Sequence, residues 1–204
     1  MSSAPRIDAA AKRSELVRNA LSFAREAHAG QLRETGSGEM PFIEHPLAVA
    51  EHLAAEGFGD EVLAAGLLHD TAEHADVELS DLRGRFGEEV AELVGVLTES
   101  DMIEQYEERK EEHRERVAEA GPNARAVFTA DKTANVEVLR EAYAVEGEDV
   151  DADLPVSLDL KIFVWELDLE MLFNRAPDLP LVDRFADEMA SLWGQRAAWS
   201  RASS

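Results

Sequence analysis

The chain has 204 residues, enough for a single domain with a hydrophobic core of its own. It contains no cysteine, which excludes disulfides, thiolate metal sites and a cysteine nucleophile. The formal net charge of −23 argues against nucleic acids and anionic membranes as partners, because Lys and Arg dominate the binding of both. There is no stretch resembling a signal peptide and no apolar run of roughly 20 residues, so we expect a cytoplasmic protein without a membrane span.

The N-terminal part of the chain predicts two helices separated by a loop. Apolar residues recur at helical spacing over residues 8–29, and Gly30 then ends the helix. Residues 31–44 carry glycine and proline and are predicted to form a loop. Pro46 suits the first turn of a second helix, which we expect to continue to about residue 56.

The rest of the chain is also mainly helical in its pattern. Further helices are predicted over residues 60–75, 80–86, 88–97, 102–120 and 123–145. The first of these is apolar nearly all round, which indicates a buried central helix. The acidic residues 146–153 are expected to form a loop. Residues 158–173 fit either a strand or a helix, and we favour a helix because the rest of the chain is helical. With a final helix over residues 181–199, the predicted fold class is all-α.

Four short motifs place histidines or acids in helical, largely apolar surroundings. They are Ile43-Glu44-His45-Pro46, Leu67-Leu68-His69-Asp70, Glu73-His74 and the stretch from Ala130 to Asn135. Burying ionisable groups in apolar helices is costly unless the groups are paired or bind a metal. Imidazole nitrogens and carboxylate oxygens are suitable ligands for a divalent first-row metal. The motifs therefore indicate a metal site.

Helical spacing indicates how these side chains meet. His69 and Glu73 are four residues apart and would lie on one helix face, and the same holds for Asp131 and Asn135. Two such helices facing each other would present these side chains to one cavity. His45 would close the cavity from a helix N-terminus, where anions are also favoured.

The order of these motifs resembles the HD phosphohydrolase superfamily. More narrowly, it is similar to the hydrolase domain of RelA/SpoT homologues and to the stand-alone small alarmone hydrolases. The matching stretches are residues 27–33, 41–46, 64–73, 85–90, 108–110 and 130–132 with Asn135. The resemblance implies an HD-domain helical bundle over residues 1–145. Residues 146–204 would then form a C-terminal helical extension packed on the same domain.

The resemblance also implies a metal centre and a water-activating acid. His45, His69, Asp70 and Asp131 would bind one divalent metal, which in this family is usually manganese. Glu73 would orient or activate the attacking water. The implied reaction is removal of the 3′-pyrophosphate from (p)ppGpp or a related alarmone such as (p)ppApp. The partner is accordingly a small nucleotide.

Five polar residues are candidates for substrate contacts. By the resemblance, Arg33 would lie against the nucleotide base, while Lys132 and Asn135 would line the substrate cavity. Arg109 and Lys110 would face the phosphates. The last two lie in a run of charges, so a solvated helix face is the alternative interpretation for them.

The chain departs from the family pattern beside the water-activating acid. His74 stands where the family usually has aspartate, and it is either a replacement acid or base or a loop residue. Asp76 is an alternative candidate for the missing acid.

Further departures affect the expected substrate shell. They are Glu34, Phe42, Thr133 and Ala134. Two alternative functions therefore stay open. One is an HD phosphatase that acts on another phosphate ester, such as a nucleoside monophosphate or NADPH. The other is a non-catalytic nucleotide-binding module.

The remaining histidines and the tryptophans have simpler interpretations. We expect His28 to pack the loop after the first helix and His52 and His113 to lie on the surface. The apolar C-terminal segment is a candidate surface for a homodimer. The tryptophans are expected in the core or at an interface rather than against substrate: Trp165, Trp193 and Trp199.

Overall fold

The computed structural model describes residues 4–35, 38–75 and 77–202. The described residues form an all-α fold, as predicted, with one two-stranded hairpin added. The helices are α1 (Pro5–Arg13), α2 (Glu15–Ala27), α3 (Glu44–Ala55), α4 (Asp60–Leu68), α5 (Thr71–His74), α6 (Leu79–Phe86), α7 (Glu88–Leu97), α8 (Tyr106–Glu119), α9 (Pro122–Glu146), α10 (Leu158–Arg175) and α11 (Pro180–Ala202). The strands are β1 (Leu32–Glu34) and β2 (Glu39–Pro41), and a 3₁₀-helix (Gly147–Asp153) precedes α10.

The prediction of one continuous helix over residues 8–29 is wrong, because the chain breaks at Ser14 between α1 and α2. Ser14 has an extended backbone (φ −118°, ψ 125°), and its hydroxyl accepts a hydrogen bond from the Val17 N–H at 3.4 Å. Serine competes with the helix for its own backbone bonds and is therefore favoured as an N-cap. The apolar spacing continues across the break, which is why the pattern alone misses it.

The predicted loop over residues 31–44 contains the β1–β2 hairpin, which corrects the prediction. The strands are antiparallel, with Leu32 opposite Pro41 and Arg33 opposite Met40. Strands of three residues are too short to produce a recognisable alternation in the sequence. The hairpin fixes the position of Arg33, which points its guanidinium towards α9.

The predicted helix over residues 60–75 is interrupted after Leu68, so the expectation of a single helix is wrong. Two side chains form hydrogen bonds with carbonyl groups that would accept from backbone amides in a continuous helix. The Nδ1 atom of His69 bonds the Gly66 carbonyl at 2.9 Å, and the Thr71 hydroxyl donates to the Leu68 carbonyl at 2.7 Å. The apolar part of the segment is α4, which is buried from Val62 to Leu68, as predicted for a central helix.

Other boundaries follow the predictions more closely. Residues 158–173 lie in α10, so the helix interpretation is confirmed and the strand is excluded. The acidic segment 146–153 is a 3₁₀-helix rather than a loop, and the helix predicted from residue 102 begins at Tyr106. Among the described residues, no helix has both the length and the apolar character that crossing a membrane requires.

The core is centred on α9, which packs against α3, α4, α7 and α11. One cluster of buried side chains extends from Ile7 in α1 to Leu192 in α11, so α10 and α11 contribute to the same core as the earlier helices. The division at residue 145 remains a prediction. The surface placement of His52 and His113 is wrong, since both are buried, and the Nε2 atom of His52 lies 2.9 Å from a Glu137 oxygen.

Candidate metal centre and active-site cleft

Histidine and aspartate side chains from three helices meet at the centre of the fold. His45 lies in the first turn of α3, His69 directly follows α4, and Asp131 lies within α9. One ligand atom from each lies within 4.8 Å of the other two. The Oδ1 atom of Asp131 is 3.0 Å from His45 Nε2 and 3.8 Å from His69 Nε2. The Asp70 carboxylate approaches the same two nitrogens at 3.6 Å and 3.3 Å.

The orientation of His69 suits a metal ligand. Its Nδ1 atom is bonded to the Gly66 carbonyl, the arrangement that commonly directs the other ring nitrogen of a ligating histidine to the metal. The Nε2 atom is buried and makes no hydrogen bond within the described part of the chain. The two imidazoles and two carboxylates that meet here form a donor set that suits a divalent first-row metal. The residues present therefore fit a metal ion.

The electrostatics of the cluster also favour a cation. Burial raises the pKa of Asp131, but Lys132 and the imidazoles of His45 and His69 outweigh burial and hold it well below its usual value. The pKa of Asp70 is lowered as well, since the two imidazoles outweigh burial there. Burial lowers the pKa of His69, yet the carboxylates of Asp70 and Asp131 raise it to about 9. The carboxylates are therefore ionised at neutral pH, whereas His69 holds a proton that a bound metal would displace.

Glu73 lies beside this cluster on the short helix α5. One of its carboxylate oxygens accepts a hydrogen bond from the main-chain N–H of Glu99. The other is 3.7 Å from His74 Nε2. His69 and Glu73 do not share one face of a continuous helix, so that prediction is wrong: the helix is interrupted between α4 and α5. The interruption instead groups Glu73 with Asp70 and His74.

His74 is fixed at the rim of the cleft by its backbone and its ring. Its carbonyl accepts a hydrogen bond from Gln31 Nε2 at 2.8 Å, and its ring is tilted against Phe42 at 5.1 Å. Phe42 in turn stacks on His28, which supports the expected packing role of that histidine. The alternative acid Asp76 lies outside the described residues.

Four of the predicted residues form a hydrogen-bonded chain along one wall. Lys132 Nζ is 2.8 Å from Asp131 Oδ2, and Asn135 donates to Asp131 Oδ1 at 2.7 Å. The amide oxygen of Asn135 accepts a hydrogen bond from the guanidinium of Arg33. The structure thus connects the hairpin that carries Arg33 to the cluster of candidate metal ligands.

Arg109 and Lys110 both bind the carboxylate of Glu99, a residue the sequence analysis did not single out. Arg109 Nε is 3.0 Å from Glu99 Oε2, and the Nη1 atom of Arg109 donates a hydrogen bond to the Ile103 carbonyl. Lys110 Nζ donates to Glu99 Oε1 and lines the cleft. Burial raises the pKa of Glu99, but contacts with His113 and Lys110 hold it far below its usual value. The two basic side chains are only 27% and 21% exposed, so they do not form a freely solvated face.

Comparison with known proteins agrees with this arrangement. The family described as "HD domain" matches residues 20–148, which contain all four candidate metal ligands. The chain belongs to the HD domain family. A guanosine-3′,5′-bis(diphosphate) 3′-pyrophosphohydrolase from Aquifex aeolicus is 37% identical over 128 residues, which are 62% of this chain and 18% of that protein. This chain therefore spans less than a fifth of the length of that curated relative.

Shorter relatives match this chain over more of their own length. The mouse guanosine-3′,5′-bis(diphosphate) 3′-pyrophosphohydrolase MESH1 is 38% identical over 59% of this chain and 67% of its own. The solved structure of lmo0812 from Listeria monocytogenes has a TM-score of 0.66 and 33% identity, and the match covers 71% of this chain and 96% of that chain. The solved structure of a metazoan orthologue of SpoT has a TM-score of 0.71 and 23% identity, and the match covers 89% of this chain and 97% of that chain. At this identity the match shows that the two folds are similar.

One wall of the HD cleft comes from α10, beyond the residues that match the family. The cleft has a volume of about 320 Å³, and α10 lines it with Lys161, Val164, Trp165 and Asp168. Lys161 Nζ lies 5.3 Å from the centre of the Trp165 ring, and Asp168 accepts a hydrogen bond from Arg114 at 2.8 Å. Burial, together with the nearby cations, lowers the pKa of Lys161 to about 8.

The sequence analysis missed this wall, although a signal was present. Lys161, Trp165 and Asp168 are spaced at i, i+4 and i+7, which places them on one helical face. Trp165 is 4% exposed, as predicted for a core residue, and also borders the cleft. Trp193 and Trp199 are 45% and 39% exposed, which excludes the core for them and leaves an interface as the prediction.

Proposed function

We propose that this HD protein is a metal-dependent nucleotide phosphohydrolase that removes the 3′-pyrophosphate from (p)ppGpp or a related alarmone such as (p)ppApp. The observation that carries the proposal is the buried imidazole–carboxylate cluster at the base of a cleft that basic side chains line. In a chain of net charge −23, a site for phosphates needs basic side chains close to it. Basic side chains that line this cleft include Lys132 and Lys161. The names of the curated relatives support the same reaction.

The metal would be held by His45, His69, Asp70 and Asp131, and manganese is the ion we propose. When bound, a divalent metal acidifies water and polarises phosphoryl oxygens. The hydrogen bond between His69 Nδ1 and the Gly66 carbonyl would keep the Nε2 atom directed towards Asp70 and Asp131.

Glu73 would orient the attacking water and take its proton. Its carboxylate is held by the Glu99 N–H at one oxygen, which leaves the second oxygen to face the cleft and His74. Attack on the phosphorus bound to the ribose 3′ oxygen breaks that P–O bond. The products are pyrophosphate and a nucleotide with a free 3′ hydroxyl. His74 would serve as a second acid or base at the rim.

Basic residues on opposite walls would bind the phosphates. Lys132 and Lys161 line the cleft from α9 and α10, and Lys110 lines it from α8. Arg33 is bonded to a neutral amide rather than to an acid, so its guanidinium plane keeps capacity for a base or a phosphate. Such cations stabilise the charge that develops on the transferring phosphoryl group.

The proposal is tested by pyrophosphate release from ppGpp and ppApp with the purified protein and added manganese. We expect pyrophosphate to appear with manganese and to be absent after chelation. A Glu137→Gln variant provides a control, because Glu137 pairs with His52 and Arg184 rather than facing the cleft. Failure to release pyrophosphate from either nucleotide, with the metal bound, would reject this substrate class.

A second candidate function is favoured by the Lys110–Glu99 contact. Glu99 neutralises a cation that would otherwise be available to a highly charged alarmone. A phosphate ester with less charge, such as a nucleoside monophosphate or the 2′-phosphate of NADPH, would need fewer cations. Orthophosphate release from such esters, without pyrophosphate release from ppGpp, would favour this alternative.

A further inference from the structure

A second group of metal-binding side chains lies beside the first. It consists of Asp70, Glu73 and His74, which follow α4 directly and continue into α5. One ligand atom from each of the three lies within 4.8 Å of the other two. Two carboxylate oxygens and one imidazole nitrogen thus face one another across a distance that a single cation can span.

The two acids of this group differ from the other acids of the cleft in the kind of partner that they have among the described residues. In the part of the chain that the structure describes, the ion pairs of Asp70 are with His45 and His69, and that of Glu73 is with His74. No lysine or arginine among these residues pairs with either acid. The other acids of the cleft differ, since Asp131 meets Lys132, Glu99 meets Lys110 and Asp168 meets Arg114. Two carboxylates this close repel each other, and a cation between them would offset that repulsion.

Asp70 connects the two groups. Its oxygens lie 3.3 Å and 3.6 Å from the Nε2 atoms of His69 and His45, so it also faces the first cluster. A carboxylate shared by two ions is a common feature of hydrolases with metals about 3.5–4 Å apart. The positions are therefore neighbouring sites that share one ligand.

The second position is open to the cleft. The side chains of His74 and Glu73 are 47% and 24% exposed, whereas those of His45 and His69 are 3% and 6% exposed. Three protein ligands with an open side suit an exchangeable ion that keeps water ligands. An imidazole in the set favours a transition metal over magnesium.

We propose that Asp70, Glu73 and His74 bind a second divalent cation, with Asp70 shared between the two ions. The proposal rests on the proposed function only in assigning the first ion to the neighbouring cluster. It changes the interpretation of two residues, because Glu73 and His74 then act as metal ligands when the second ion is present. The histidine at position 74 contributes a nitrogen ligand to the set.

The test is the number of manganese ions bound at saturation, measured by elemental analysis of the dialysed full-length protein. We expect two ions per chain in the wild type and one in His74→Ala. Electron paramagnetic resonance provides a second readout, since two neighbouring manganese ions couple and a single ion gives an uncoupled six-line spectrum. Glu73→Gln is a second variant that should also bind one ion, and His52→Gln, outside the cleft, should retain two.

These outcomes separate the inference from the proposed function. Two coupled ions without pyrophosphate release would uphold the second site and reject the alarmone reaction. One ion in the wild type, with pyrophosphate released, would overturn the second site and leave the reaction standing. Equal metal content in the wild type and His74→Ala would also overturn it. Thermal unfolding confirms that each variant is folded before its metal is counted.

Discussion

The main-chain N–H of Glu99 donates a hydrogen bond to the carboxylate of Glu73 and so joins the segment after α7 to the short helix α5. The side chain of Glu99 extends in the other direction and binds Arg109 and Lys110 on α8. One residue thus holds the proposed water-activating acid through its backbone and two basic residues through its carboxylate. The two functions can be separated by mutation, because a side-chain change leaves the N–H in place.

We predict that Glu99→Gln lowers turnover about tenfold while the metal content stays unchanged. The variant keeps the backbone bond to Glu73, but it loses the charge that orients Lys110 in the cleft. Steady-state pyrophosphate release, together with elemental analysis, measures both quantities. The matched control is Glu137→Gln, which removes the charge of another acid paired with a histidine and an arginine. Equal turnover in the two variants would show that Glu99 does not position the cleft.

We predict that His69→Gln abolishes the stabilisation of the protein by manganese. A ligand that binds only the folded state at 100 times its dissociation constant adds about 2.7 kcal/mol to the free energy of unfolding. The glutamine lacks the ring that joins the Gly66 carbonyl to the metal position, so the gain should disappear. Thermal unfolding with and without manganese measures the gain. An equal gain in wild type and variant would contradict the ligand assignment.

We predict that the KM for the nucleotide rises as the pH increases from about 7 to 9. Burial and the nearby cations lower the pKa of Lys161 to about 8, so the side chain is charged below this pH and loses its charge above it. Loss of a cation from the cleft weakens phosphate binding. In Lys161→Arg the guanidinium stays charged throughout, and the increase should be absent. The pH profile of kcat/KM measures the effect. The same rise in Lys161→Arg would assign it to another group.

The same pKa shift affects stability in a defined direction. Because the folded state disfavours the charged form of Lys161, the free energy of unfolding should increase as the pH rises from about 8 towards the ordinary lysine value of 10.5. This gain should be absent in Lys161→Met. Urea unfolding of both proteins at several pH values isolates the contribution.

We predict that Gly66→Ala destabilises the protein by about 1–3 kcal/mol. A Cβ atom at this position would lie 2.7 Å from the Cδ1 atom of Leu53, which is fully buried on α3 and must move against the core. Gly84→Ala in α6 is the matched control, since a Cβ there meets no atom within 4 Å. The free energy of unfolding of that variant should be unchanged or higher, because alanine has a higher helix propensity than glycine. Urea unfolding of both variants measures the contrast, and equal effects would contradict the close packing of α3 on α4.

The meeting of the candidate metal ligands was predictable because these residues occur in a recognisable order. The motifs around His45, His69 and Asp131 lie on three different helices, and their order in the sequence predicts a common site without any knowledge of helix packing. The helical character of α10 was predictable only from the rest of the chain, since its own pattern also fitted a strand. The core position of α4 followed from apolar residues on all its faces.

Other features depend on contacts that the sequence pattern does not contain. The breaks at Ser14 and after Leu68 result from side chains that bond nearby backbone groups within otherwise helical patterns. The surface prediction for His52 and His113 failed because contacts between helices bury both: His52 on α3 pairs with Glu137 on α9, and the ring of His113 on α8 packs against Phe128 on α9. Long-range pairs of this kind form only after the helices have packed.

Because α10 forms one wall of the cleft, mutations in this helix alone can change the shape and charge of the cleft. The proposed metal ligands lie on α3, on α9 and between α4 and α5, whereas Lys161 and Trp165 belong to a helix outside the region that matches the family. Exchanging the cleft-facing side chains of this one helix would alter which molecule fits, while the residues proposed to bind the metal remain untouched. Part of the proposed substrate selectivity would thus lie in a stretch of sequence separate from the proposed metal ligands, and this part could be changed by mutating α10 alone.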